Sequence, residues 1–398
     1  MTSALPELDI ENVFLYVGDA VRWDFVPDRL TSTGVAIKSI AASIHSPTSF
    51  ASIISGLHPP QHGVGQFQDT LPEECFNLIT SPTIQTGFAN TINHRIDAEP
   101  GGEDIISKTL GVPLTHPEEF GQIEPPFVFV ERGKGGHSPY GDFDGDSWDY
   151  YQNRGAMDPS QYAREYREGV ENDVDWFQSR VDTLAERGLL DDTLVIYTSD
   201  HGELLGERGM IAHSPPIHRR HVEVPTVFIN PELDGRFCRG SLVRHVDLVP
   251  TIISAMDMEK GAADFPGKDL QNNPPSKTAV SMFEQRKELT GGFRVSLEYE
   301  SAWDSTGGYV IPRSGRPLRL GVWLKRVMKA PWRGFVRDHP FRTISNMLEG
   351  THRYGSPAMT LKDAVERIQR VRDEPSPDSS ENVDVSKEQL KRLGYLES

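Results

Sequence analysis

Cysteine is almost missing from this sequence: Cys75 and Cys238 are the only two. They are too few for a disulfide framework, and neither lies in a metal-ligand or redox spacing, so reduced thiols are expected. Long apolar runs are missing too. Nothing reaches the roughly eighteen consecutive apolar residues of a membrane span. The start, MTSALPELDIENVFLYVGD, has no basic opening, apolar core or small-residue cleavage pattern. The expectation is a soluble, cytoplasmic protein. Lysine is scarce, 12 residues against 29 arginines, and 58 acids leave a formal charge of -17. That balance argues against nucleic acid as a partner and suits solvation in high salt.

What is present reads as alternating strands and helices. With 398 residues the chain can hold one large α/β domain and a smaller one. Short apolar, β-branched or aromatic runs recur at Val13 to Val17, Phe127 to Val130, Thr193 to Thr198 and Thr226 to Ile229. With helical stretches between them, they predict a mostly parallel central sheet flanked by helices over residues 1–255. The clearest helix is predicted over 160–187, where Tyr162, Tyr166, Val170, Val174, Phe177, Val181 and Leu184 keep helical spacing. Ser160 fits its N-cap and Gly188 its C′ position. Beyond residue 255, Pro/Gly/Asn-rich stretches and strand candidates at Ala279 to Phe283 and Phe293 to Tyr299 predict a smaller C-terminal α+β subdomain over 256–365. Residues 366–398 read as a linker, EPSPDSSENVDVS, and a terminal helix, KEQLKRLGYL.

Three strand runs end in groups that carry chemistry. Val13 to Val17 leads into Gly18-Asp19, Phe127 to Val130 into Glu131 and then His137, and Thr193 to Thr198 into Asp200-His201. Ligand sites of open parallel sheets lie off the carboxyl ends of the strands, so these groups should converge in one crevice. Two carboxylates and an imidazole gathered there repel or strain one another without a cation, which points to a divalent metal. Asp19 alone also suits the N-cap of a following helix. His137 and His213 each also suit a loop histidine bonded to backbone.

The stretch HSPTSFASIISGLHPPQHG, residues 45–63, supplies hydroxyls. Ala51 to Ser55 reads as a helical turn ended by Gly56 to Pro60. That places Ser46, Thr48 and Ser49 just before or within the first turn, where outward amides and the helix dipole favour an anion. All three are also good capping residues, and the local pattern does not choose among them.

Taken together, VFLYVGDAVRWDF, ASIISGLHPPQHGV, FVFVERGKGGHSPYG, LLDDTLVIYTSDHGELLGERG with AHSPPIHRRHVEVPTVF, and VRHVDLVPTII resemble the sulfatase family within the alkaline phosphatase superfamily. The resemblance implies an alkaline phosphatase-like fold and a metal-dependent hydrolase. Counting back from Gly56, it places the nucleophile at Ser46. It places metal ligands at Asp19, Asp200 and His201, with Glu131 a weaker further candidate, and contacts to the transferred group or leaving oxygen at His137 and His213. One ion, Ca²⁺, Mg²⁺ or Mn²⁺, is expected from the oxygen-rich set. His245 and Asp247 read as structural support rather than a second metal site.

The family's nucleophile is oxidised to formylglycine within Cys/Ser-x-Pro-x-Arg, whereas Ser46-Pro47-Thr48-Ser49-Phe50 has neither the Pro nor the Arg in register. An unmodified serine is therefore expected. A phosphoserine is open to water, while a sulfated serine is hard to release without the aldehyde hydrate. A phosphate mono- or diester is thus expected at least as readily as a sulfate ester, carried by a small molecule or a glycan. The alternatives are phosphoryl transfer to an acceptor alcohol, and a catalytically silent protein that recognises anionic glycans.

One segment runs against the acidic trend. Residues 313–342 carry nine Arg or Lys and one acid, Asp338, with Trp323, Val327, Met328, Trp332 and Phe335 interspersed. Two readings are open. The helix can pack its apolar side on the core with its arginines paired to the acidic body, or it can meet an anionic membrane or polymer from the periphery.

Overall fold

The computed structural model describes residues 3–80, 83–92, 104–141, 143–154, 158–233, 242–260, 263–288 and 294–374. The predicted runs form strands: β1 (Asn12–Gly18), β2 (Val35–Ile40), β3 (Gln85–Asn90), β4 (Phe127–Gly133), β5 (Thr193–Ser199), β6 (Glu223–Ile229) and β7 (Val243–Arg244). They lie in one sheet in the order β3-β4-β1-β5-β6-β2-β7. β6 runs antiparallel to both neighbours, and the other pairings are parallel. Every residue of β1, β4 and β5 is buried, because helices cover both faces of a sheet wound in this way.

The two faces of β1 sort by the strand period of two. Val13, Leu15 and Val17 pack with Phe50, Ile53 and Ile54 of helix α1 (Ser46–Ser55). Phe14 and Tyr16 pack with Val174, Phe177 and Val181 of helix α2 (Pro159–Glu186). α2 begins one residue earlier than predicted, and its cap is Asp158 rather than Ser160. The Asp158 carboxylate accepts from Ser160 N–H at 2.7 Å, and Pro159 fills the first helical position, where its missing N–H costs nothing. Gly188 follows with φ 69°, as its place after the last turn requires.

Asp173 is a carboxylate buried in the middle of α2. It accepts from Tyr16 Oη (2.7 Å), Tyr197 Oη (2.9 Å) and Gly135 N–H (2.7 Å), tying β1, β5 and the loop after β4 to one helix. Burial raises its pKa to about 6, against the three donors. Asp173→Ala leaves those donors buried and unpaired. It should cost about 3 kcal/mol or more, read as the shift in a urea midpoint. A loss no larger than that of a surface substitution would contradict this.

The second unit is an antiparallel sheet, β11-β10-β9-β8, formed by β8 (Thr278–Glu288), β9 (Arg294–Asp304), β10 (Gly307–Pro312) and β11 (His352–Gly355). Helix α3 (Leu248–Ala255) precedes it. Helices α4 (Arg316–Lys329), α5 (Arg333–Asp338) and α6 (Pro340–Leu348) follow β10. Helix α7 (Leu361–Arg372) sets Ala364, Ile368 and Val371 against Val280, Met282 and Ala302. The boundary expected between 365 and 366 falls inside α7. The expected terminal helix, most of the linker and Cys238 lie outside the described residues. No helix among the described residues is long and apolar enough to cross a membrane.

Candidate active site

β1, β4 and β5 end level with one another. Gly18 pairs with Gly133 on one side and Ser199 on the other, so Asp19 and Asp200, one step beyond, are carried by the register to the same edge of the sheet. Asp19 is aimed by a left-handed turn at Ala20, φ 57°, which costs a residue with a Cβ about 1 kcal/mol or more. Hydrogen bonds hold the turn. Ala20 N–H donates to Asp200 Oδ1 (3.0 Å) and Val21 N–H to Ser199 Oγ (2.7 Å). Tyr166 Oη accepts from Arg22 N–H (2.9 Å) and donates to the Ala20 carbonyl (2.6 Å). Above them Gly136 N–H donates to the Asp19 carbonyl at 2.8 Å. Gly135 makes that approach possible: its φ is 55°, and a Cβ there would lie 2.1 Å from the Asp19 carbonyl oxygen.

Asp19, Asp200 and His201 are fully buried, and one ligand atom from each lies within 4.8 Å of the others. Asp19 Oδ1 and Asp200 Oδ2 have no hydrogen-bond partner. Bare buried carboxylate oxygens are costly, and a cation in the space they share relieves both. His201 Nδ1 lies 3.1 Å from the Gly202 carbonyl. A carbonyl only accepts, so Nδ1 carries the proton and Nε2 presents its lone pair. The set fits a single divalent ion with oxygen preference. Burial and the charge of Asp19 raise Asp200 to about 7. Burial acts on Asp19 in the same sense, yet Arg132, His137, His201 and His213 hold it down at about 2. Arg132, buried at the end of β4, donates from Nε to Asp19 Oδ2 at 3.2 Å.

Ser46 opens α1, with Pro47 beside it in the first turn and Gly56, φ 73°, closing the helix. The other two hydroxyls are engaged nearby. Thr48 Oγ1 lies 3.2 Å from His45 Nδ1. Ser49 Oγ accepts from Ser43 N–H (3.2 Å) and donates to the Ser43 carbonyl (3.1 Å). Ser46 Oγ instead lies 3.1 Å from His201 Nε2 and, given that tautomer, donates to it. The structure therefore makes the choice that the local sequence leaves open.

His213 and His137 complete the group. The His213 ring centroid is 4.6 Å from that of His201 and 6.1 Å from that of His137. Glu203 Oε2, itself buried, lies 3.4 Å from His213 Nδ1. Burial opposes charge on His213, but Glu203 and then the two aspartates raise its pKa above the ordinary value. Burial lowers His137 to about 4, Asp19 opposing and His213 and Arg132 assisting. Of the two imidazoles, His213 is the one set to hold a proton.

Glu131 is not with them. Successive strand residues face opposite ways, so Arg132 turns to the crevice and Glu131 to α2. There Glu131 accepts from Trp176 Nε1 (2.7 Å), Arg180 Nε (2.9 Å) and Thr91 Oγ1 (3.1 Å). His245 bridges Ala42 N–H (3.2 Å) and the Ser199 carbonyl (3.0 Å), and Asp247 accepts from Arg244 and from Lys268 N–H (2.8 Å). Both are scaffolding. Arg132, Glu203 and Tyr166 are the site groups that sequence reasoning passed over.

A family model described as Sulfatase matches residues 118–258. A low-salt glycan biosynthesis sulfotransferase of Haloferax volcanii is 31% identical, over 98% of this chain and 97% of its own. An uncharacterized sulfatase of Escherichia coli is 31% identical over 31% of this chain and 22% of its own. Among solved structures, the phosphonate monoester hydrolase of Agrobacterium radiobacter superposes with TM-score 0.57 at 15% identity, covering 75% of this chain and 87% of that one. A protein solved with its substrate D-glucosamine-2-N,6-O-disulfate superposes with TM-score 0.58 at 14% identity, covering 97% and 98%.

Proposed function

Because this chain belongs to the sulfatase family, an ester-hydrolase family, we propose that it is metal-dependent and takes the sulfuryl or phosphoryl group of its substrate onto Ser46. One observation carries the reading: the hydroxyl that opens α1 lies 3.1 Å from His201 Nε2, within the group that holds the unpartnered oxygens of Asp19 and Asp200. Asp19, Asp200 and His201 would hold the ion, which when bound supplies charge to polarise a substrate oxygen and to acidify the Ser46 hydroxyl.

The chain's own groups do the rest. Arg132 keeps Asp19 anionic, and the start of α1 offers positive potential to the oxygens of the transferred group. Ser46 Oγ attacks the sulfur or phosphorus as the bond to the substrate's ester oxygen breaks. His213, its Nδ1 set toward Glu203, gives the Nε2 proton to the departing alkoxide. Water then attacks the group on Ser46, and the serine oxygen leaves and regains a proton. A sulfated or phosphorylated sugar is the substrate class that fits, since one structural neighbour was solved with a disulfated glucosamine.

A second reading is favoured by the relative aligned end to end, whose name is that of a glycan biosynthesis sulfotransferase. An unmodified serine ester that water cleaves slowly is suited to waiting for an acceptor hydroxyl, and exchange of one alkyl ester for another is nearly balanced in energy. Aryl sulfate and aryl phosphate donors, each with and without a sugar acceptor, separate the readings. Equal phenol and inorganic anion mean hydrolysis. Excess phenol with a newly esterified sugar means transfer. No metal-dependent phenol from either donor sinks both.

Glu203 acts through His213 as a positioning residue, which leaving-group dependence reveals. Glu203→Gln should slow an alkyl ester by about 10²-fold while slowing a nitrophenyl ester, whose leaving group needs no proton, by much less. Equal losses on both substrates would contradict the role of His213 as acid.

A further inference from the structure

The basic segment folds as α4, α5 and α6, and α4 is reversed relative to an ordinary amphipathic surface helix. Its arginines point in. Arg319, 4% exposed, donates from Nη1 to the Met347 carbonyl (3.0 Å), and Arg326, 8% exposed, donates from Nη1 to the Pro215 carbonyl (2.6 Å). Trp323 Nε1 donates to Thr343 Oγ1 (2.9 Å), tying α4 to α6. The apolar side chains point out. Leu320, Leu324 and Met328 are 36%, 46% and 61% exposed, and their four-residue spacing lays them in one stripe. Phe341, at the start of α6, is 86% exposed. Arg316, Lys325, Lys329, Arg337 and Arg342 are exposed on the same three helices. The expectation that this helix packs its apolar side on the core is thus overturned: buried carbonyls take up two of the arginines, and the leucines are left to solvent.

From this geometry we infer that α4–α6 form a docking surface for a bilayer of anionic lipids, with Leu324, Met328 and Phe341 entering the headgroup boundary and the lysines and arginines meeting the phosphates. Charge complementarity argues for it, since this basic patch stands on a chain of net charge -17. An anionic glycan or polymer would satisfy the cations but offers nothing to cover the apolar stripe, whereas a bilayer satisfies both. The contact is independent of the catalytic reading, because none of these residues lies among Asp19, Ser46, Asp200 and His201.

The test is flotation of the full chain with vesicles of phosphatidylglycerol and phosphatidylcholine, against phosphatidylcholine alone, at low and high salt. The expected result is binding that needs phosphatidylglycerol and weakens with salt. The double variant Leu324→Asp/Met328→Asp and, separately, Lys325→Glu/Lys329→Glu should each lower it by about tenfold or more. Hydrolysis of a soluble aryl ester should be unchanged in both, which shows that the fold survives. Absence of binding at low salt, or binding that neither variant weakens, would overturn the inference. So would a dimer of the wild type that the apolar double variant abolishes, because a second copy would then own the surface.

Discussion

Ser46→Ala should reduce turnover by at least about 10⁴-fold, the scale seen when a nucleophile acting in concert with its neighbours is removed. The fold should barely register the change. The one hydrogen bond lost is to His201 Nε2, a nitrogen whose lone pair is set to face an ion. Thr48→Ala is the matched control: its hydroxyl is turned to His45 Nδ1, so turnover should stay within a few-fold of the parent. Ser49→Ala should instead lower stability, because its hydroxyl closes both the N–H and the carbonyl of Ser43. If Thr48→Ala abolished turnover and Ser46→Ala did not, the nucleophile would be misassigned.

Asp200→Asn should have two effects of opposite sign. In the Asn side chain the oxygen can keep the two bonds that Oδ1 now accepts, from Ala20 N–H and His201 N–H, so the local structure is preserved. What goes is a buried charge next to Asp19. Without metal the variant should therefore be more stable than the parent, by about 1–2 kcal/mol on the scale of relieving a buried, uncompensated charge. With metal the order should reverse. An ion at a hundred times its dissociation constant stabilises the parent by about 2.7 kcal/mol, and the variant should gain little. Turnover should fall by about 10³-fold or more, as the ion is worth several kcal/mol to the transition state. Thermal denaturation with and without Ca²⁺, Mg²⁺ or Mn²⁺ reads the first two effects without reference to activity. Equal metal-induced shifts in parent and variant would remove Asp200 from the ion's shell.

Asp19, Asp200 and His201 were legible because each follows an apolar run, and the end of a parallel strand is where such a fold places its site. Ser46 was reachable only by counting from Gly56. Nothing local separates it from Thr48 and Ser49, whose engagement by His45 and Ser43 is a matter of three-dimensional contact. β4 shows the limit of pattern reading. Its residues are all buried, so no alternation of polarity tells that Arg132 faces the crevice and Glu131 the helix. The one cue was the strand period counted back from the conserved geometry of its neighbours, and it becomes usable only once the register is known. Tyr166 fell on the predicted apolar face of α2 and was read as core; its ring packs there, but its hydroxyl holds the Asp19 turn. Glu203 stood in the same block as Asp200, yet its role depends on His213, ten residues on, folding back to it. In α4, spacing reveals that the helix is amphipathic but not which stripe faces the body, and carbonyls at Pro215 and Met347 decide it.

The central claim is that Ser46 is the side chain that receives the transferred group. Peptide mass spectrometry of protein quenched during turnover of an aryl phosphate and an aryl sulfate, with the divalent ion present, tests it directly. The account predicts an unmodified serine at position 46 before substrate is added, and a phosphoryl or sulfuryl adduct on that residue during turnover that is absent in Asp200→Asn. An aldehyde at position 46, or an adduct confined to another residue while substrate is consumed, would contradict it.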